Sequence, residues 1–64
     1  MKTKLMLAPW SGEQRQITEK EAIELIGEEL FKEIMDGAKE SFLEDPSTYI
    51  EFMIPGGRLN ITFE

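Results

Sequence analysis

The sequence predicts a small α+β domain of the order β(β)αββ, in which one amphipathic helix packs on a three- or four-stranded, mainly antiparallel sheet. Apolar residues recur at three- and four-residue steps through the middle of the chain, which is the period of a helix. Apolar and polar residues alternate on either side of a Pro-Gly-Gly segment near the end, which is the pattern of a β-hairpin. With 64 residues, the chain is expected to form a single domain, 1–64.

The first seventeen residues predict one strand and leave a second open. Residues 3–8 alternate weakly and end at Pro9, which donates no hydrogen bond to a β-ladder. Ser11 and Gly12 indicate a turn, after which a short polar segment can pair back on the first strand or remain a loop. Whether residues 13–17 form a strand is therefore undecided at this stage.

A helix is predicted to begin at Thr18, because residues 18–21 (Thr-Glu-Lys-Glu) form a capping box. Its apolar stripe consists of Ile23, Ile26, Leu30, Ile34, Ala38 and Phe42, widened by Leu25, Phe31 and Met35. Gly27 either lies inside this helix at a cost of about 1 kcal/mol or ends a first helix so that a second begins at Glu28. The helix is predicted to end before Pro46.

Residues 48–54 and 59–63 are predicted to form the two arms of the hairpin, because Pro and Gly between them favour a turn. The apolar residues that face the helix are Ile50, Phe52, Ile54, Leu59, Ile61 and Phe63. One helical layer leaves the opposite face of the sheet uncovered. By the period of two, that face carries Met6, Ala8, Trp10, Tyr49, Glu51, Met53, Asn60 and Thr62.

This uncovered face is the first candidate binding site. The residues proposed for partner binding there are Met6, Trp10, Tyr49 and Met53. Trp and Tyr are enriched at binding hot spots, and Met is common at adaptable contact surfaces. The alternative is a shorter first strand, with Trp10 closing one end of the core.

The acidic helix is the second candidate. The net charge of the chain is −6, and residues 19–45 contain ten acidic residues and three lysines, a local charge of −7. The candidate partner-binding residues are Glu24, Glu28, Glu29, Glu33, Asp36 and Glu40. They would dock a basic partner or act as a nucleic-acid mimic; the alternative is a solvated face that only maintains solubility. Direct nucleic-acid binding is disfavoured, since such a field repels phosphates.

The composition disfavours most enzyme chemistry. The chain has no Cys, which excludes thiol nucleophiles and iron–sulfur clusters, and no His, the usual general base. Neighbouring carboxylates on a helix surface lack the cleft that acid–base catalysis requires. We therefore expect no enzyme, no catalytic residue, no cofactor and no metal site.

The expected function is that of a small acidic protein-interaction module, of the accessory or inhibitor type that phages and mobile elements encode. The alternative is a homodimer formed through the uncovered face, and a third reading is the nucleic-acid mimic. A cytoplasmic location is expected, because the first apolar run stops at Pro9 and is too short for a secretory signal. No segment is apolar for long enough to span a membrane, so no membrane partner is expected.

Overall fold

The computed structural model describes residues 2–64. The elements are β1 (Thr3–Pro9), β2 (Arg15–Ile17), α1 (Glu19–Ile26), α2 (Glu28–Glu44), β3 (Ile50–Ile54) and β4 (Gly57–Phe63). The strands form one sheet in the order β2-β1-β4-β3, and every neighbouring pair is antiparallel. The two helices pack on one face of this sheet. The predicted α+β class is confirmed.

The segment left open by the sequence forms the short edge strand β2. Leu5 is aligned with Ile17, and Leu7 with Arg15. Because Leu5 and Leu7 point into the core, Ile17 does so as well and is buried. A single apolar residue thus orients a strand that is otherwise polar.

The helical region is divided at Gly27. The Thr18 hydroxyl accepts a hydrogen bond from the Glu21 N–H at 3.1 Å, which confirms that the helix begins after Thr18. At Gly27 the backbone adopts φ 90° and ψ 154°, a conformation that is nearly exclusive to glycine. Its N–H donates to the Ile23 carbonyl and its own carbonyl accepts from the Phe31 N–H, so one residue ends α1 and begins α2.

The buried stripe of α2 is shifted from the predicted one. Phe31, Ile34, Met35 and Ala38 are buried at the spacing i, i+3, i+4, i+7. The prediction that Leu30 belongs to this stripe is wrong, because Leu30 lies at its border and is 38% exposed. The predicted role of Leu25 is wrong too, since it is also exposed.

The core lies between the helices and the inner face of the sheet. Its largest fully buried side chains, Leu5 and Leu59, lie on the adjacent central strands β1 and β4. Phe42 packs on Phe63 at one end, with ring centroids 5.2 Å apart. The buried core residues are Leu5, Leu7, Ile17, Ala22, Phe31, Ile34, Met35, Ala38, Ile50, Ile54, Leu59, Ile61 and Phe63.

The predicted C-terminal hairpin is present, with a tighter turn than the sequence indicated. Ile54 is aligned directly with Gly57, so β4 begins two residues before the predicted arm. Gly57 has φ 156° and is also aligned with Pro9 of β1. A Cβ at this position would overlap the Ala8 carbonyl oxygen, which is why the close approach of β1 and β4 requires glycine.

Within residues 2–64, neither helix combines the length and the apolar character needed to cross a membrane.

Candidate interaction surfaces

The face of the sheet opposite the helices, here called the outer face, carries the side chains that alternate with the core residues. It consists of Lys4, Met6, Ala8, Gln16, Glu51, Met53, Arg58, Asn60 and Thr62. Six of these nine side chains are exposed and the other three are half-buried, whereas the buried side chains of the strands lie on the opposite face. This confirms that one helical layer leaves the other face of the sheet open.

Three rows of aligned residues cross the outer face, and in the first row Lys4 is aligned with Thr62. In the middle row, Met6 is aligned with Asn60, and Asn60 with Glu51. In the third row, Ala8 is aligned with Arg58, and Arg58 with Met53. The Asn60 side-chain amide donates to the Ile50 carbonyl at 2.8 Å, so it supports the pairing of β3 and β4. In the middle row, the Asn60 side chain is therefore used to stabilise the sheet. In the row that contains Arg58, no such hydrogen bond within the described residues engages the Arg58 side chain.

Trp10 and Arg58 form a stacked pair at the end of the outer face. The backbone N–H of Trp10 donates to the Gly56 carbonyl at 3.3 Å, which attaches Trp10 to the turn between β3 and β4. The Arg58 guanidinium carbon lies 5.7 Å from the centre of the Trp10 ring, within the range of a cation–π contact. Met53, which is aligned with Arg58, flanks this pair. The arrangement holds a cation against an aromatic ring and leaves much of both exposed.

Tyr49 and Glu51 form a second pair beside the outer face. The Tyr49 hydroxyl donates to Glu51 Oε2 at 2.9 Å. This hydrogen bond to the carboxylate raises the pKa of the Tyr49 hydroxyl above its ordinary value of 10.0. Tyr49 thus remains a neutral donor that holds the Glu51 carboxylate in place.

The four residues predicted for this site do not form one cluster. Trp10 and Met53 lie near each other through Arg58, whereas Tyr49 contacts Glu51 near the opposite end of β3. Met6 lies in the middle row and is half-buried. The prediction that Trp10 and Tyr49 are strand residues is wrong, because Trp10 follows the end of β1 and Tyr49 precedes β3. The alternative in which Trp10 closes the core does not hold either, because Trp10 is 59% exposed.

Arg58 is the residue that the sequence reasoning missed. It alternates in phase with Asn60 and Thr62, both of which were placed on this face. The sequence pattern predicts a turn over residues 55–58, whereas β4 already begins at Gly57 and includes Arg58. The usable signal was the tight Pro-Gly turn, which allows pairing to resume immediately afterwards.

The helical layer presents the second candidate surface. All six predicted carboxylates are exposed to solvent. An open cavity of about 430 Å³ lies between α1 and α2, with Ile23, Phe31 and Met35 among its apolar lining residues. Of the six carboxylates, Glu28 and Asp36 line this cavity, together with Lys32 and Lys39. The predicted acidic residues are therefore dispersed over the helical layer, and the two that line this cavity lie beside lysines.

Among residues 2–64, one salt bridge is formed. Arg15 of β2 contacts Glu21 of α1 at 3.0 Å and thereby links the edge of the sheet to the helical layer. The hydrogen bond from Arg15 lowers the pKa of the Glu21 carboxyl below 4.5. Within the same residues, no group of three or more Asp or Glu side chains is arranged to hold a metal ion.

No protein-family model, curated protein or solved structure matches the chain at a significant level. The surfaces described above therefore carry the functional reasoning that follows.

Proposed function

We propose that this chain is a small, non-catalytic protein-interaction module that binds its partner through the outer face of the sheet. The observation that carries the proposal is the exposure of three large side chains on and beside this uncovered face. Trp10, Tyr49 and Met53 are 59%, 70% and 75% exposed. Side chains of these types contribute strongly to binding when a partner removes them from water.

The non-catalytic part of the proposal is supported by the environment of the titratable groups. None of the polar or charged side chains in residues 2–64 is buried. Catalytic acids and bases are usually tuned by burial and by nearby charges in a cleft. Here the pKa shifts of Glu21, Asp45 and Tyr49 arise mainly from hydrogen bonds at the surface.

The outer face is preferred over the acidic helix as the binding surface for two reasons. The carboxylates of the helical layer are spread along two helices and are interrupted by three lysines, which weakens any imitation of regularly spaced phosphates. On the outer face, by contrast, Trp10, Arg58 and Met53 are adjacent and pre-positioned by backbone pairing. Pre-positioned groups lose less conformational entropy when they bind.

The test is capture of partners by the immobilised protein from an extract of its source cells. We compare the wild type with the double variant Trp10→Ser/Met53→Ser and with the control Leu43→Ser, which removes an equally exposed apolar side chain (78%) from α2. We expect the double variant to lose a captured protein that the wild type and the control retain. Because Trp10 and Met53 bind through apolar surface, capture should weaken only partly between low and physiological salt.

Equal capture by all three proteins would show that the outer face is not the binding surface. Capture that disappears as salt is raised, and that does not depend on Trp10, would transfer the function to the acidic helical layer. Circular dichroism of each variant provides the folding control, since the substituted side chains are exposed and the fold should persist.

A further inference from the structure

The two layers of the molecule differ in charge. From Glu19 to Glu44 the helical layer carries nine acidic residues and three lysines. The outer face carries Lys4 and Arg58 against the single carboxylate of Glu51. Two copies of a chain of charge −6 repel each other through their helical layers, and this repulsion is weakest when their outer faces meet.

Arg58 and Glu51 lie diagonally across β4 and β3, yet they do not form a salt bridge with each other. Met53 is aligned with Arg58, and Glu51 is two residues earlier on the same strand. Arg58 is stacked on Trp10, and Glu51 is held by the Tyr49 hydroxyl. Within residues 2–64 the one salt bridge lies elsewhere, at Arg15 and Glu21. In addition to Lys4, the outer face thus presents the Arg58 cation and the Glu51 carboxylate, each held by a neighbouring aromatic side chain and available to a partner.

We propose that the partner seated on the outer face is a second copy of this chain, related by a twofold axis that places Arg58 of each copy against Glu51 of the other. A twofold interface is self-complementary, so a residue that contacts a second residue across it is matched by the reciprocal contact. The pair formed by Arg58 and Glu51 satisfies this condition, because the twofold axis generates two equivalent salt bridges from it. This inference rests on the proposed function and names its partner.

The apolar part of the interface lies around these salt bridges. Met6, Ala8 and Met53 belong to the same two rows as the charged pair, and Trp10 adjoins them. Four strands of up to seven residues span roughly 19 by 23 Å, at about 4.8 Å between strands and 3.3 Å per residue. Such a footprint falls at the small end of specific interfaces, so we expect a dimer that dissociates in the micromolar range.

The test is the mass in solution, measured by sedimentation equilibrium over a concentration series on the full chain. Wild type is compared with the charge reversals Arg58→Glu and Glu51→Arg, each measured alone. The matched controls are Lys32→Glu and Glu33→Arg, which change the net charge by the same amounts on the exposed side of α2. We expect each outer-face reversal to raise the dissociation constant at least about tenfold, because both symmetric contacts become like-charged. The controls should change it less.

An equimolar mixture of the two outer-face variants gives the sharpest result. In a mixed dimer every position that pairs across the axis again holds one cation and one carboxylate. The mixture should therefore recover most of the wild-type association, whereas each variant alone associates at least about tenfold more weakly than wild type. The loss of the Arg58 stack on Trp10 in one of the two chains keeps this recovery incomplete.

Three outcomes overturn the inference. A wild type that stays monomeric at millimolar concentration excludes self-association, and the proposed function then survives if capture of a different protein still depends on Trp10 and Met53. A dimer that neither reversal weakens uses another surface. Masses that grow continuously with concentration indicate a head-to-tail contact between the outer face and the helical layer of the next copy.

Discussion

The inner and outer faces of the sheet are made by the same strands, yet their side chains differ in burial, polarity and charge. On the inner face, Leu5 and Leu59 are 2% and 0% exposed beneath the helices. On the outer face, Met53 lies one strand away from Leu59 and is three-quarters exposed, with Arg58 and Glu51 beside it. Successive residues of one strand thus differ in environment. Side chains on the inner face are buried and stabilise the fold, whereas those on the outer face remain exposed to solvent.

The difference arises from the number of layers that the chain can build. About 25 residues in two helices are enough to cover one face of a four-stranded sheet. Burial of apolar surface provides most of the stability of a small domain, and a chain of this length rarely exceeds about 3–5 kcal/mol in total. Substitutions on the inner face should therefore threaten folding, and those on the outer face should alter association instead.

The largest expected effect comes from truncating the centre of the inner face. We expect Leu59→Ala to lower the free energy of unfolding by about 3–4 kcal/mol, because it removes buried methyl groups and leaves a cavity beneath the helices. Its outer-face counterpart, Met53→Ala, should change the free energy of unfolding by less than about 0.5 kcal/mol in dilute protein. Urea unfolding followed by circular dichroism measures both. If both variants lost the same free energy of unfolding, the outer face would contribute to the stability of the fold as much as the inner face does.

A smaller effect tests the contact between β1 and β4, which both faces share. We expect Gly57→Ala to cost about 2–3 kcal/mol, because the added Cβ meets the backbone of Ala8 and Pro9 and the strands must separate. Gly56→Ala is the control: it also has a positive φ, but nothing lies within 4 Å of the added Cβ, so it should cost only about 1 kcal/mol. If both variants lose the same stability, backbone strain alone accounts for the effect and the close approach does not.

The smallest effect concerns the salt bridge that joins the edge of the sheet to α1. We expect the Glu21 carboxyl to titrate below 4.5 and Arg15→Gln to raise its pKa, because the hydrogen bond from Arg15 is the main cause of the lowered value. A carboxyl whose pKa is lowered in the folded state stabilises the fold above its unfolded pKa. That contribution disappears as the pH falls through the lowered folded value. Both side chains are about half-exposed, so the effect on stability should be small and sensitive to salt.

Carbon-detected NMR titration of the carboxyl groups measures this shift. Asp45 is the internal control: its pKa is lowered by hydrogen bonds from Ser47, so Arg15→Gln should leave it unchanged. A Glu21 pKa that is the same in wild type and variant would contradict the assigned cause.

The candidate site could be predicted only in outline. Alternation along each strand correctly assigned Met6 and Met53 to the face opposite the helices. The face that a strand residue occupies follows from its position relative to its neighbours in the sequence, so a local pattern is enough to predict it. It did not place Arg58 there, nor did it bring Arg58 onto Trp10. That contact joins residues 48 positions apart and depends on the alignment of β1 with β4, which no local pattern specifies.

Short-range patterns are sufficient to predict the fold class, the capped start of the helical region at Thr18, the Pro-Gly hairpin and the uncovered face, because each follows from a short-range period or a local hydrogen bond. Long-range packing is needed to establish that Gly27 divides the helices, that residues 15–17 form an edge strand and that Leu30 lies outside the core. Each of these alternatives is close in local free energy. The choice between them depends on which apolar side chains meet across the core, and those side chains are distant in the sequence.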